Sequence, residues 1–472
     1  MSIEISVKDA ESRQWDLVVI GSGTAGADAA IRAAQLGFNN ILIIEKNRNR
    51  VGGTCLNIGC VPTKKLIYLT DTYHMLKTKL NEEGIISQPK FDFKAALEST
   101  KSLVSKIVGW YAFRIFPSYD IKLLIGEARL KSSNEVKVND SIIKAKNILI
   151  ATGSSPRIRP IRGIEEGFKS GFVITSDDFL DLDSLPSKVL IIGGGYIGIE
   201  LATMFRKAGS EVMIIKSSNK FLPTLDPEIG EALPKYLKNI GVEVRFSTSV
   251  TKIDPENKRV TLSNGEVIND VDKVIIASGR EPNIHGLNLE GVGVEVKDGA
   301  IVIDEHMRTS IPNIYAAGDV TGKYMLASVA KVQGIVAAEN MAGLNSKIDY
   351  SVVPITVFSD PEIASVGVSA RGDDPNYIVV KMPNIANYRV IAYKPHGWVK
   401  IVAERRSRKL VGVHMIAPFA TEIINMAVIA IRKGLTIDEI KEWVFPHPVF
   451  SELLVDAIEL AIGANMYLPK SL

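Results

Sequence analysis

The chain has 472 residues, a formal net charge of +3, and 46% hydrophobic against 23% charged residues, a globular composition long enough for roughly three domains of about 150 residues each. So small a charge over this length gives no basic face for nucleic acid. No apolar run reaches the roughly 18 residues of a membrane span, since the best, Ile423 to Ile431, contains Asn425 and ends at Arg432.

Met1 to Trp15 is polar, carries Glu4, Asp9 and Glu11, and lacks an apolar signal region. It reads as a short loose lead-in, not an export signal, and a cytoplasmic location is expected. Asp16 to Ile20 is an apolar run of buried-strand type that ends at Gly21-Ser-Gly23-Thr24-Ala25-Gly26 before the helix-like Ala27 to Leu36. A strand, a tight turn and a helix in this order admit a pyrophosphate at the helix N-terminus. A second apolar run, Ile41 to Ile44, closes at Glu45, placed to accept from a ribose hydroxyl.

Residues 52 to 65 hold the only two cysteines, Cys55 and Cys60. A cysteine pair in a reducing compartment is more often catalytic or metal-binding than a staple. Zinc would need two further ligands from six scattered histidines or from carboxylates, and no His-x-x-x-His pair is present. A structural disulfide closing so short a loop would restrict the unfolded chain little. Gly52, Gly53 and Gly59 let a planar body approach the backbone, and Lys64 and Lys65 place positive charge within about one helical turn of Cys60. The pair therefore reads as a redox-active disulfide, with no metal. The stretch resembles the active-site helix of the flavin-dependent pyridine-nucleotide disulfide oxidoreductases. The resemblance implies that Cys55 exchanges with substrate while Cys60 sits against the flavin, with Lys64 beside them. It also implies that FAD binds at Gly21, Gly23, Thr24, Ala25, Gly26, Glu45, Lys46, Gly53, Thr54 and Ala128.

Residues 66 to 120 read as helical and mixed, most helix-like from Lys101 to Ile115, with no separate chemistry. Leu123 to Leu130 and Glu135 to Val138 read as strands leading to Asn147 to Pro156, which resembles the family's exit from the first flavin half-domain at Thr152 and Gly153. Pro156, Pro160 and the glycines up to Gly171 mark a crossing between domains. A second fingerprint follows, Lys188 to Ile192 running into Gly193-Gly-Gly195-Tyr196-Ile197-Gly198, with Glu200 beyond. Two such fingerprints imply two dinucleotides, and the family pattern assigns a nicotinamide nucleotide, NAD(P)(H), to the second, with Val250 and Gly279 among its contacts. Its second strand ends in Lys216-Ser217-Ser218, where an NAD site would carry an acid. A lysine cannot accept from a hydroxyl, whereas it can hold a 2′-phosphate with help from Ser217 and Ser218, which turns the expectation toward NADP(H). The alternative is that Lys216 points to solvent and either nucleotide is taken.

Ser278 to Asn283 is similar to the family's return to the flavin domain, and Asn313 to Val320 to its second flavin motif, in which the Asp319 carboxylate binds the ribityl chain and Met325, Leu326 and Ala327 lead toward the flavin. From about Tyr350, strands at Ile363 to Val368, Trp398 to Ala403 and Leu410 to Ile416 and a helix around Glu422 to Lys433 resemble the dimerisation domain. At the end, His447 precedes Glu452, which can hold one ring nitrogen and leave the other as a base. In the family this pair reaches the disulfide of the partner subunit, so a homodimer is expected.

The expected fold is α/β, with two Rossmann-like dinucleotide-binding domains for FAD and NAD(P) and a C-terminal α+β dimerisation domain. The divisions fall at 1–155 (flavin, first part), 156–276 (nicotinamide nucleotide), 277–348 (flavin/central, second part) and 349–472. Within the family, Ala29 to Phe38, with Ile31 where glutathione reductase has an arginine, and Gly334 to Gly343 are similar to dihydrolipoamide dehydrogenase. Tyr196 and the basic 216–220 segment are similar instead to the NADPH-dependent reductases. Mercuric reductase is disfavoured by His447, which stands where that enzyme has tyrosine, and by Leu468 to Leu472, which lack its terminal cysteine pair. The expectation is an enzyme passing electrons between a nicotinamide nucleotide, FAD, the cysteine pair and dihydrolipoamide or lipoamide, alone or on a lipoyl-bearing protein. The alternative is an NADPH-dependent reductase of another small disulfide, as in glutathione reductase.

Overall fold

The computed structural model describes residues 3–80, 83–85, 87–393, 396–464 and 468, so the chain end discussed above lies, past Leu468, outside the described residues. Its first sheet grows from the glycine-ended strand. Gln14–Ile20 (β1) lies parallel to Ile41–Glu45 (β2), which is followed by Lys122–Ile125 (β3). On its other side β1 pairs with Ser141–Ile150, and Ile314–Ala316 adds a further parallel strand there. Every residue of β2 is buried, as befits a parallel strand covered on both faces. The helix Thr24–Gln35 (α1) covers this sheet through a small-residue face, Ala25, Gly26, Ala29, Ala30 and Ala33.

The expected single strand from Leu123 to Leu130 is broken at Gly126: β3 stays parallel to β2, and Ala128–Ser132 turns away to pair antiparallel with Glu135–Val138. The lead-in is not loose. Ile3 and Trp15 are buried, Ile5 N–H donates to Leu123 O, and Ser6 and Asp9 form a capping box on the short helix Val7–Glu11. The capping signal Ser-x-x-Asp was present in the polar stretch, where the polarity of the flanking residues hid it.

A second sheet, ordered Val242–Arg245, Glu211–Ile215, Lys188–Ile192, Lys273–Ile276, Val173–Thr175, repeats the doubly wound pattern. A third, antiparallel sheet runs Ile355–Val357, Glu362–Gly367, Leu410–Ala417, Trp398–Glu404, Tyr377–Pro383. Tyr377–Pro383 and Ile355–Val357 were not expected: both are partly exposed edge strands with weak apolar alternation, and one ends in proline. Ala420–Lys433 and Glu452–Ala461 pack on this sheet and share its core.

Three helices set the site: Gly53–Asn57 (α2), Cys60–His74 (α3) and Phe93–Trp110 (α4). Both α3 and α4 run on into a π-type turn, Met75–Lys79 and Tyr111–Ile115. The helix Tyr196–Ala208 (α5) of the second fingerprint packs against α3. Ion pairs brace that junction. Lys207, only 5% exposed, is paired with Asp71 of α3 at 2.6 Å and with Asp360 at 2.8 Å.

Candidate active site

The first fingerprint turn is shaped by contacts that leave no room for side chains. A Cβ on Gly21, whose φ is +105°, would lie 2.3 Å from Ala151 O. One on Gly53, φ +72°, would lie 2.5 Å from Gly23 Cα, so α2 starts directly on the turn. The N-terminus of α1 has no side-chain cap, and its amides are free for an anion. Glu45 ends β2 across this turn. Its Oε2 accepts from Ser22 N and Ser22 Oγ at 3.1 and 2.6 Å, and its Oε1 from Asn47 N, which leaves a lone pair on Oε1 for a hydroxyl. Lys46 is exposed, Thr24 and Thr54 are partly exposed beside the turn, and Ala25 and Ala128 are buried.

Beyond the turn, Thr152 and Gly153 are tied to Asn283 by hydrogen bonds in both directions, Thr152 Oγ1 to Asn283 O at 2.7 Å and Asn283 Nδ2 to Thr152 O at 2.9 Å. Ser154 Oγ donates to Asp319 Oδ2 at 2.5 Å and accepts from Arg280 Nε, whose guanidinium also binds Asp177 at 2.7 Å. Burial raises the Asp319 carboxyl above its ordinary range, against the hydrogen bond from Ser154. Met325 and Leu326 lead from there into the helix Ala327–Met341, which has no side-chain cap at its start. The uncapped helix starts, the glycine turn and the buried carboxylate together fit a dinucleotide with a polyol chain.

The two cysteines sit where this turn meets α3. Cys55 lies inside α2, and Cys60 is the first residue of α3, where the helix dipole favours an anion. Both are free, half-buried thiols. The Cys55 thiol donates to Cys60, which holds Cys60 at about 7, helped by the Lys64 charge against burial; the same hydrogen bond and burial raise Cys55. The pair is thus polarised, with Cys60 as the thiolate.

Lys64 is not aimed at the sulfur alone. Its Nζ is 2.6 Å from Glu200 Oε2 and 4.6 Å from the Phe358 ring centroid, and Glu200 Oε1 accepts from Phe358 N at 3.1 Å. Glu200, expected on the nucleotide side, is therefore the link between the second fingerprint helix and the cysteine helix. Phe358 and this link were missed. Their separation in sequence is large, and only a lysine one turn after Cys60 and a carboxylate one turn into α5 hinted at them. Tyr111, in the stretch read as without chemistry, is raised above its ordinary range by burial and by the Asp28 charge.

In the second fingerprint Gly193 and Gly195 open α5, Tyr196 Oη is 3.0 Å from Thr224 Oγ1, Ile197 is half-buried and Gly198 buried. Lys216 is half-buried, and its stem crosses Gly194, where a Cβ would lie 3.0 Å from Lys216 Cδ. Ser217 is exposed, while Ser218 Oγ is engaged with Lys220 O. The neighbouring Arg245 is held by Glu266 at 3.1 Å and by Glu243. Gly279 borders open space, and Val250 turns its side chain into a core, leaving only backbone for a ligand.

His447 stands apart, in the segment before Glu452–Ala461. Its Nδ1 is 2.8 Å from Glu452 Oε1, whose other oxygen accepts from Val449 N at 2.7 Å, and half of its side chain (53%) is exposed. The ring is fixed, with Nε2 free to act as a base.

Residues 15–334 match the family model for pyridine nucleotide-disulphide oxidoreductases, and residues 353–458 match the dimerisation domain of the same family. The chain belongs to this family. It is an FAD-dependent disulfide oxidoreductase that works with a nicotinamide nucleotide. It is 36% identical over 466 residues to the dihydrolipoyl dehydrogenase of Chlamydia muridarum, covering 97% of this chain and 99% of that one. It is 34% identical over 463 residues to the mitochondrial dihydrolipoyl dehydrogenase of Pisum sativum, covering 94% and 91%. Among solved structures it matches the HOCl-induced flavoprotein disulfide reductase RclA from Escherichia coli with a TM-score of 0.84 and 28% identity, covering 94% of this chain and all of that one. Among the described residues no helix is long and apolar enough to cross a membrane.

Proposed function

We propose that the chain is a homodimeric dihydrolipoamide dehydrogenase of this family, acting on the free dithiol or on a lipoyl-bearing protein. The single observation that carries the chemistry is the placement of the cysteine pair, Cys55 in α2 and Cys60 at the start of α3, where the helix dipole favours a thiolate. In the oxidative direction the substrate dithiol gives one proton to His447 Nε2, and the resulting thiolate attacks Cys55 of the Cys55–Cys60 disulfide. The second substrate sulfur then displaces Cys55, so that the substrate is oxidised to its disulfide and the pair is reduced to a Cys55 thiol and a Cys60 thiolate. Bound FAD supplies the two-electron relay from that thiolate to the nicotinamide.

Glu452 keeps the His447 ring oriented and balances the charge it gains. Each subunit's His447–Glu452 pair is assigned to the cysteines of the other, because the pair is half-exposed on the domain that matches the dimerisation model. The chain divides at 1–155 and 277–348 for the flavin, 156–276 for the nicotinamide nucleotide and 349–472 for dimerisation, with the three sheets falling one to each part. A cytoplasmic location suits a thiol pair used for redox work. Lys216 favours a second reading, in which NADPH reduces another small disulfide.

The two readings separate in a steady-state assay of the purified protein against dihydrolipoamide with NAD⁺ and NADP⁺, and against glutathione disulfide and coenzyme A disulfide with NADH and NADPH. Turnover of dihydrolipoamide, lost in Cys55→Ser, is the expected result. Turnover of either other disulfide with dihydrolipoamide inert would overturn the proposal.

A further inference from the structure

Glu452 and Asp456 lie one turn apart on Glu452–Ala461 and so share a face of that helix. Asp456 is 6% exposed, and among the described residues no lysine or arginine pairs with it. Its Oδ2 accepts from Asn387 Nδ2 at 3.0 Å; the same amide points at Val449 O at 3.5 Å, and Asn387 Oδ1 accepts from Val390 N at 3.1 Å. Val449 N in turn donates to Glu452, which holds His447. A continuous chain of contacts therefore runs from Asp456 through Asn387 and the Val449 peptide to the histidine. Ala386, Asn387, Tyr388, His447, Glu452 and Asp456 line one small cavity.

We propose that Asp456 is a positioning residue for the His447–Glu452 pair, anchoring the loop that carries the histidine and placing a second negative charge beneath it; this rests on the reading of His447 as the dithiol base. A buried carboxyl without a counter-ion costs stability, which a purely apolar residue at this position would avoid. Burial, with Glu452 and Glu459 on its own helix, raises Asp456 to about 6 despite the Asn387 hydrogen bond and the opposing effect of His447. The neighbouring 384–391 segment lines the cavity with Ala386, Asn387 and Tyr388, and Lys381 and Lys400 on the strands beneath are engaged by Glu228 and Asp226. The carboxyl is therefore charged at neutral pH and neutral in mild acid. When charged it is placed to stabilise the positive charge that His447 gains on accepting the dithiol proton.

The test is the pH dependence of kcat/KM for dihydrolipoamide oxidation, in the intact FAD-loaded dimer of the wild type, Asp456→Asn, Asn387→Ala and His447→Gln. Asp456→Asn keeps an acceptor for Asn387 and removes the charge, so the acid limb should move down by about half to one pH unit. Asn387→Ala removes the anchor of the loop and leaves a carboxyl at 456, so it should lower the plateau and move the limb less than Asp456→Asn does. Peptide-resolved ethoxyformylation of His447 against pH should show the same displacement in Asp456→Asn without any turnover. Should that variant not hold its dimer, Asp456→Ser carries the same expectation.

An unmoved limb in Asp456→Asn, or an equal movement in Asn387→Ala, overturns the proposal while His447→Gln still slows dithiol oxidation selectively. If His447→Gln slows both half-reactions equally or neither, the base assignment falls and this proposal falls with it.

Discussion

Replacing Lys64 by methionine keeps its stem and removes its charge, and the effect on Cys60 follows from the helix. Residues 60 and 64 are one turn apart on α3, which sets a thiolate and an ammonium roughly 6 Å apart. At an effective dielectric constant of about 20, two unit charges at that distance interact by roughly 3 kcal/mol, or about two pH units. Lys64 is 33% exposed and shared with Glu200, so screening and pairing reduce this to about one unit. The thiolate is the charged form that the cation stabilises, so its loss must raise Cys60 from about 7. Glu200, left buried without its partner, pushes in the same direction. Lys64→Met should therefore move the Cys60 midpoint up by at least about one unit, and Lys64→Met combined with Glu200→Gln should recover part of that shift. The assay is the ultraviolet thiolate absorbance of the reduced protein, titrated without oxygen and differenced against Cys60→Ser. A midpoint that stays near 7, or falls, would refute the reasoning.

Losing a charge-assisted contact to a 2′-phosphate costs roughly 1.5 to 3 kcal/mol, so Lys216→Glu should weaken NADPH binding by about one to two powers of ten in calorimetric titration and leave NADH less affected. A wild type that strongly prefers NADH would show this to be wrong. Lys207→Met removes the buried cation that bridges Asp71 and Asp360 and should cost about 3 kcal/mol in denaturant unfolding; a loss under about 1 kcal/mol would contradict the role given to that junction. Gly53→Ala puts a methyl against Gly23 Cα at a positive φ, and the purified protein should carry little flavin, whereas full flavin content would mean that the turn can yield.

Much of the site was legible because its parts are local. Gly21 to Gly26, the two cysteines and the His447 to Glu452 spacing each carry their chemistry within a few residues: Gly23 precedes an uncapped helix, Cys60 starts α3, and His447 Nδ1 lies 2.8 Å from Glu452 Oε1. The misses were of two kinds. Ile3 and Trp15 were hidden because two apolar residues and a capping box in a polar stretch have no periodicity to read. The links Lys64 to Glu200, Ser154 to Asp319 and Asp456 to Asn387 join positions far apart in the chain, so no window along the sequence contains both partners. The break at Gly126 could have been read from the glycine alone, which interrupts an otherwise regular apolar run.

The central claim is that the Cys55–Cys60 pair, and not the flavin alone, holds electrons in transit. Anaerobic reductive titration of the oxidised, FAD-loaded protein tests it by counting. The wild type should take up one more electron pair per subunit than Cys55→Ser, with a Cys60 thiolate appearing before the flavin is bleached. Equal uptake by the two proteins, with flavin bleaching from the first addition of reductant, would contradict the account.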